Sequence, residues 1–241
     1  MRIFVCGISG RMGTTLCAEA IACGHTIAGG LDIKPSMFPT FGSSDEVDAD
    51  FDVIIDFSSS AAFPEVIKLA ERTHRPTVIC TTGLSENDRN VMREISLFLP
   101  VFYSENVSLG IGVVTALVRQ AAVSLGQSFD VEITEAHHRG KLDSPSGTAK
   151  LIANEISEVR PELCVVFNRD GKRQQNEIGI TSVRGGTICG EHEIIFAGDD
   201  EVLTIKHSAY SRKVFAQGAL KAAKFINDKK SGFYTLSDLF E

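Results

Sequence analysis

The chain has 241 residues, 43% of them hydrophobic and 23% charged; this excludes a disordered chain and allows one large domain or two modest ones. Its formal net charge of −7 argues against a general nucleic-acid or membrane-surface role, which needs a basic patch, while a few local cations can still hold an anionic small molecule. No apolar run approaches the ~18–20 residues of a membrane span, and the start, Met1-Arg2-Ile3-Phe4-Val5-Cys6, reads straight into a strand without a secretory-signal pattern, so a cytoplasmic location is expected.

Residues 2–8 are rich in apolar and β-branched types and read as a strand ending near Gly7. Residues 10–23 then take helical spacing, with Met12, Leu16, Ala20 and Cys23 near one stripe. Thr26–Leu31 is a second strand, followed by a polar stretch over 34–50. The run Val53-Ile54-Ile55-Asp56-Phe57 suits a buried parallel strand. Helix over 61–72, strand over 77–80, helix over 86–97 and strand over 100–103 follow at short spacing, so a Rossmann-type doubly wound parallel sheet is expected. The pattern changes after Asn106. A helix over about 109–125 carries a single ionised residue, Arg119. Phe129, Val131 and Ile133 alternate with Asp130, Glu132 and Thr134, the mark of a strand with one wet face. A helix over 147–159 and strand-like runs near 164–168, 178–184, 192–197 and 202–206 make a second α+β domain with a mostly antiparallel or mixed open sheet. Residues 212–227 return to helix, and the apolar tail, Phe233–Phe240, is expected to pack back on the first domain. The domains are thus residues 1–107 with 212–241, and 108–211. The six cysteines form no CxxC pair and are read as reduced, mainly packing residues.

Gly7-Ile8-Ser9-Gly10-Arg11-Met12-Gly13 lies between a strand and a helix. Glycines there let the backbone turn tightly and approach a pyrophosphate, and the helix start offers N–H groups and a positive dipole end. The spacing is G-x-x-G-x-x-G, with Ser9 at the usual middle glycine, and a tight turn used for packing alone would look the same. Asp32, ~20 residues on, stands where an acid usually binds the adenosine ribose. Lys34 and Arg11 suit the extra phosphate of NADPH, so NADH and NADPH are both expected to serve. Loops after the later strands, Phe57-Ser58-Ser59, Cys80-Thr81-Thr82-Gly83 and Ser104-Glu105-Asn106-Val107, should line the same edge.

The most informative stretch is Glu135-Ala136-His137-His138-Arg139-Gly140-Lys141-Leu142-Asp143-Ser144-Pro145-Ser146-Gly147-Thr148. Two histidines, an arginine and a lysine fall together where a strand gives way to a loop that opens a helix. Pro145 precedes the helix and Ser146 reads as its N-cap, leaving the N–H groups of Gly147 and Thr148 for an anion. Histidine can deliver a proton near neutral pH, and a nearby lysine can assist or hold a carboxylate. A lone histidine is more often structural; the clustering favours function. Adjacent strand histidines point to opposite faces and lack ligands at a typical spacing, so no metal is expected.

These segments, with Val183-Arg184-Gly185-Gly186 through Gly190-Glu191-His192, resemble in order the signature segments of the dihydrodipicolinate reductase family. The resemblance implies two domains, a homotetramer built through the second sheet, and NAD(P)H-dependent reduction of a cyclic unsaturated imine dicarboxylate in diaminopimelate and lysine biosynthesis. It implies His137 as proton donor and acceptor and Lys141 as a second acid. His138, Ser146, Gly147 and Thr148 would hold substrate carboxylates. Gly7, Ile8, Ser9, Gly10, Arg11, Met12, Asp32, Lys34, Cys80, Thr81, Thr82, Ser104, Glu105, Asn106 and Val107 would hold the cofactor. The chain departs from the family pattern at Cys80, where the loop usually begins with glycine, at Glu105 and Val107 flanking Asn106, and in a shorter stretch between Ile33 and Asp50. Two other readings stay open: a different two-domain dehydrogenase, which has no need of the histidine–lysine cluster, and an NAD(P)H-sensing module without turnover, which needs no proton donor.

Overall fold

The computed structural model describes residues 1–240; Glu241, the last residue of the expected first domain, lies outside the described residues. Two compact units emerge, Met1–Leu109 with the segment from Arg212 onward, and Gly110–Ser211.

The first unit is a seven-stranded sheet. Its strands are β1 (Arg2–Cys6), β2 (Thr26–Leu31), β3 (Thr40–Phe41), β4 (Val53–Asp56), β5 (Thr77–Ile79), β6 (Pro100–Tyr103) and β12 (Gly232–Tyr234). They lie in the order β12-β6-β5-β4-β1-β2-β3 and every pairing is parallel. Period-two side chains explain why helices cover both faces. Ile3, Val5, Val53 and Ile55 pack with α1 (Arg11–Ala22) and α6 (Lys213–Ile226), while Phe4, Cys6 and Ile54 pack with α2 (Phe63–Thr73) and α3 (Glu86–Ile95). The expected doubly wound sheet is therefore present, with two strands the sequence did not reveal. β3 is two residues inside the polar 34–50 stretch, too short to show a period. β12 comes from the tail, which joins the sheet edge by pairing Phe233 with Val101, and Leu236 buries beneath it.

The second unit holds α4 (Leu109–Leu125), β7 (Asp130–His137), α5 (Gly147–Val159), β8 (Cys164–Phe167), β9 (Glu177–Arg184), β10 (Gly190–Ala197) and β11 (Val202–Ala209). Its sheet runs β11-β10-β7-β9-β8, antiparallel on the β10 side of β7 and parallel on the β9 side. Val131, Ile133, Ile178, Ile180, Ile194 and Phe196 form the inner face and bury against Val114 and Val118 of α4 and Ile152 and Ile156 of α5. One expectation needs correction. Leu109–Ser128 spans 20 residues at mean hydropathy 1.5 and is, by length and composition, apolar enough to cross a membrane. Gly, Ser, Thr and Gln interrupt the run by eye without lowering its mean far. In the fold one stripe of α4 packs into the second core, and Arg119 pairs with Glu155 and Glu158 of α5 at 2.8 and 2.6 Å. Of the cysteines, Cys6, Cys17 and Cys80 are buried packing residues; Cys23 and Cys164 are exposed and Cys189 is intermediate.

Candidate functional site

In a parallel sheet the loops after the strands gather at one edge, and the candidate cofactor residues all belong to such loops or follow them. Gly7 takes a φ of +77°, which glycine adopts without strain, and a Cβ there would lie 2.8 Å from the Phe57 carbonyl oxygen. At Gly13 a Cβ would come within 2.1 Å of the Gly7 carbonyl, so the start of α1 sits directly on the turn. Gly10 is the N-cap of α1, so no side chain caps the helix and no acid occupies its first turn. An uncapped helix start on a glycine turn is what a pyrophosphate requires, and these residues fit a dinucleotide.

Asp32 braces this loop. Its carboxylate accepts the Ser9 N–H at 2.9 Å and the Lys34 N–H at 3.1 Å, while the Ser9 hydroxyl donates to the Lys34 carbonyl at 2.6 Å. Arg11 and Lys34 are exposed, whereas Ile8 is buried and Met12 packs half-buried against the core, so Ile8 offers a ligand only its backbone. The Cys80 thiol points into the core and burial holds it well above its ordinary pKa. The Thr81 hydroxyl donates to Asp56 at 2.6 Å, and Asp56 also accepts the Ser58 N–H at 2.9 Å. Thr82 is exposed. Asp56 is fully buried, and burial raises its carboxyl against these hydrogen bonds. In the sequence Asp56 closes an apolar run, and an acid as the last strand residue is the signal that marks it. In the last loop the Ser104 hydroxyl donates to the Asn106 carbonyl at 2.7 Å, and the Asn106 side chain accepts the Ser108 N–H at 2.9 Å. Glu105 is exposed and accepts from Tyr103, and Val107 is buried.

The candidate chemistry lies in the second unit. Along β7 the inner face runs Val131, Ile133, Glu135, His137, so the period that builds the core continues into two polar residues. Register places Ser182 beside Glu135 and Arg184 beside His137 on β9, and His192 opposite Glu135 on β10. Glu135 is 1% exposed and His137 8%. The Glu135 carboxylate accepts two N–H groups of Arg184 at 2.8 and 2.7 Å, the Ser146 N–H at 3.1 Å, and His137 Nδ1 at 2.6 Å. Burial pushes the Glu135 carboxyl up, but Arg184, Ser182, His137 and the Ser146 N–H outweigh it and hold it at about 2. It is an anion at neutral pH, so Nδ1 donates. Burial lowers the His137 pKa; Glu135 raises it, the charges of Lys141 and Arg184 lower it, and the net is a depressed value. His192, 3% exposed, meets His137 edge-on at 5.2 Å, and burial holds its pKa at about 3.

Ser146 caps α5, its hydroxyl accepting the Ala149 N–H at 3.1 Å and meeting His192 Nε2 at 3.1 Å. Gly147 is exposed and Thr148 half-buried at the helix start. The expectation that the Gly147 N–H faces an outside anion has a rival within the chain: the Asp143 carboxylate lies close enough to feel that N–H. Lys141 Nζ pairs with Asp143 Oδ1 at 2.8 Å. Burial raises the Asp143 carboxyl, but Lys141 and the N–H groups of Asp143 and Gly147 bring it below its ordinary range. Lys141 therefore faces the helix start through an internal carboxylate. His138 is half-buried on the turn after β7, its carbonyl accepting the Lys141 N–H at 3.1 Å. Local sequence gives no role to Glu135, Arg184 or His192. The inward alternation of β7 pointed to Glu135; the other two needed the strand pairing.

Two family models match the chain, "Dihydrodipicolinate reductase, N-terminus" over residues 1–107 and "Dihydrodipicolinate reductase, C-terminus" over 110–240. A protein of Caldanaerobacter subterraneus subsp. tengcongensis named 4-hydroxy-tetrahydrodipicolinate reductase is 47% identical over 246 residues, covering 99% of this chain and 98% of that one. One of the same name from Clostridium botulinum is 42% identical over 247 residues, with the same coverage. Among solved structures, dipicolinate-bound dihydrodipicolinate reductase from Paenisporosarcina sp. TG-14 matches with a TM-score of 0.81 at 26% identity, covering 99% of this chain and 98% of that one.

Proposed function

The chain belongs to the dihydrodipicolinate reductase family, and from that premise we propose that residues 1–107 with 212–241 bind the cofactor while residues 108–211 bind the substrate and build the oligomer. The protein is an NAD(P)H-dependent oxidoreductase that reduces 4-hydroxy-tetrahydrodipicolinate in the diaminopimelate and lysine pathway.

The first-turn N–H groups of α1 take the pyrophosphate, with Gly7, Ile8, Ser9, Gly10, Arg11 and Met12 around it and Asp32 on the ribose. Lys34 and Arg11 receive the 2′-phosphate when NADPH binds. Cys80, Thr81, Thr82, Ser104, Glu105, Asn106 and Val107 line the rest of that edge. When bound, the reduced nicotinamide would supply a hydride to the ring carbon remote from nitrogen in the conjugated imine formed once the 4-hydroxyl has left as water.

The remaining work belongs to the second unit. Lys141 and the start of α5 at Ser146, Gly147 and Thr148 hold one carboxylate of the substrate, and His138 helps hold the other. These positive groups draw electron density toward the carboxylates and favour hydride addition. The enamine-like product of addition takes a proton from His137 Nε2, with Lys141 as the second acid, and the histidine reloads from solvent. His137 rests neutral near pH 7 because its pKa is depressed; the negative charges of a bound dicarboxylate favour its protonation at the moment it is needed.

The observation that carries this reading is the Asp143 carboxylate paired with Lys141 Nζ at 2.8 Å just ahead of α5, in the same segment as the buried His137. The segment already binds a carboxylate of its own. His137→Gln should lower turnover by ~10²–10⁴-fold with NADH affinity unchanged. Turnover within a few-fold of wild type would remove His137 from the reaction. A cytoplasmic homotetramer completes the proposal. Its support is the outer face of the second sheet, where Val183 near one end and Val202 at the other are exposed and no helix packs among the described residues.

A further inference from the structure

We propose that Glu135 is a positioning residue that holds His137 in a single tautomer, with Nδ1 protonated and Nε2 facing the reaction. This rests on the reading of His137 as the proton donor, and the tests below separate the two.

Four bonds converge on a carboxylate that is 1% exposed. The Arg184 guanidinium meets both of its oxygens, at 2.8 and 2.7 Å, and the Ser146 N–H fixes Oε1 at 3.1 Å. Oε2 also meets His137 Nδ1 at 2.6 Å. A carboxylate only accepts, so the ring must present Nδ1–H to it. Neutral imidazole carries one proton, and Nε2 is then an open lone pair that can load a second. The space at Nε2 is also specified. A Cβ added at Gly190 would come within 3.1 Å of that atom, so glycine on β10 leaves it room.

Arg184 serves two further contacts, donating to the carbonyls of Val183 and Asp143, each at 2.7 Å, while gripping Glu135. Ser146 likewise bonds Glu135 through its N–H and caps α5 through its hydroxyl. Glu135 therefore ties the proton donor to the helix start and the loop proposed to hold the substrate carboxylate. A shift in either would tilt the imidazole, which is why positioning residues of this kind matter to rate more than to binding. The charged and titratable groups facing His137 are Glu135 on its own strand, Lys141 from the loop, Arg184 from β9 and His192 from β10. Among them Glu135 is the only anion, and it alone favours the imidazolium.

Glu135→Gln keeps the size and removes the charge. We expect kcat to fall about 10–100-fold with little change in the KM for NADH. We also expect the high-pH limb of the kcat profile to move to lower pH, because the imidazolium loses its counter-charge. Gly190→Ala should lower kcat by crowding Nε2 without moving that limb. Unchanged kcat and an unmoved limb in a folded Glu135→Gln enzyme would overturn the proposal. Should that variant fail to fold with Arg184 unpaired, nitrogen NMR of the wild-type imidazole decides. Protonated Nδ1 and bare Nε2 above the His137 pKa support the assignment, and the opposite tautomer overturns it. The NMR result judges Glu135 whether or not His137→Gln retains turnover, so failure of the proton-donor reading and failure of this one are told apart.

Discussion

At the scale of single residues, the second unit concentrates groups whose charge states depend on the fold. Glu135 sits at about 2 against an ordinary 4.5, and His192 at about 3 against 6.5. In both cases the unfolded chain binds the proton more readily, so both contribute stability that is full above the ordinary value and is lost as pH falls toward the folded one. The windows differ: His192 acts from pH 6.5 downward, Glu135 only below 4.5. Denaturant unfolding at a series of pH values should therefore show stability declining before carboxylates titrate. His192 alone accounts for about 2 kcal/mol between pH 6.5 and 5. In His192→Asn the decline over that interval should flatten. An unaltered slope in the variant would show that His192 is already protonated in the folded protein.

At the scale of elements, the loop from Lys141 to Ser146 leads into the first turn of α5, and Asp143 pairs with Lys141 where we propose that a substrate carboxylate binds. On that proposal a substrate carboxylate competes with the Asp143 side chain. Lys141→Ala should weaken a pyridine dicarboxylate by about one to two decades, the worth of a charge-assisted hydrogen bond of ~1.5–3 kcal/mol. Asp143→Asn, which keeps the shape and removes the competing charge, should bind the same inhibitor more tightly. Calorimetric titration at fixed NADH measures both. Opposite signs are the diagnostic outcome; equal weakening in the two variants would mean that Asp143 orients Lys141 and does not occupy the site. The cofactor elements show the same economy of parts. Asp32 accepts two N–H groups of the glycine loop, so the acid expected to meet a ribose also holds in shape the turn expected to meet a pyrophosphate.

At the scale of the whole molecule, two units of different topology share one chain, and the second leaves the outer face of its sheet without a covering helix among the described residues. Antiparallel sheets tolerate water on one face, yet Val183 and Val202 lie 49% and 62% exposed there. Burying such a face against copies of itself gives closed symmetry. Sedimentation equilibrium should return about four times the chain mass. Val202→Glu, which sets a charge in that face, should shift the population to smaller species while each chain stays folded by circular dichroism. A wild-type protein of a single chain mass at micromolar concentration would eliminate the tetramer.

Local pattern was enough for the parallel sheet, because β1, β4 and β5 each carry their own apolar period, and for the N-cap at Ser146, because capping is settled within four residues. The glycine turn was legible for the same reason: a strand, a turn and a helix start are contiguous. Tertiary structure alone supplied β3 and β12, which are too short to carry a period and exist because a neighbouring strand edge accepts them. It also decided the partners of His137. Glu135 lies two residues away on the same strand, but Arg184 and His192 arrive from 47 and 55 residues further on through the pairing of β7 with β9 and β10. The sequence by itself determined which chemistry-bearing residues the chain owns. Which of them share a buried row, and which proton each can carry there, depended on strand register, since burial and distance set those charges and neither is a property of local sequence.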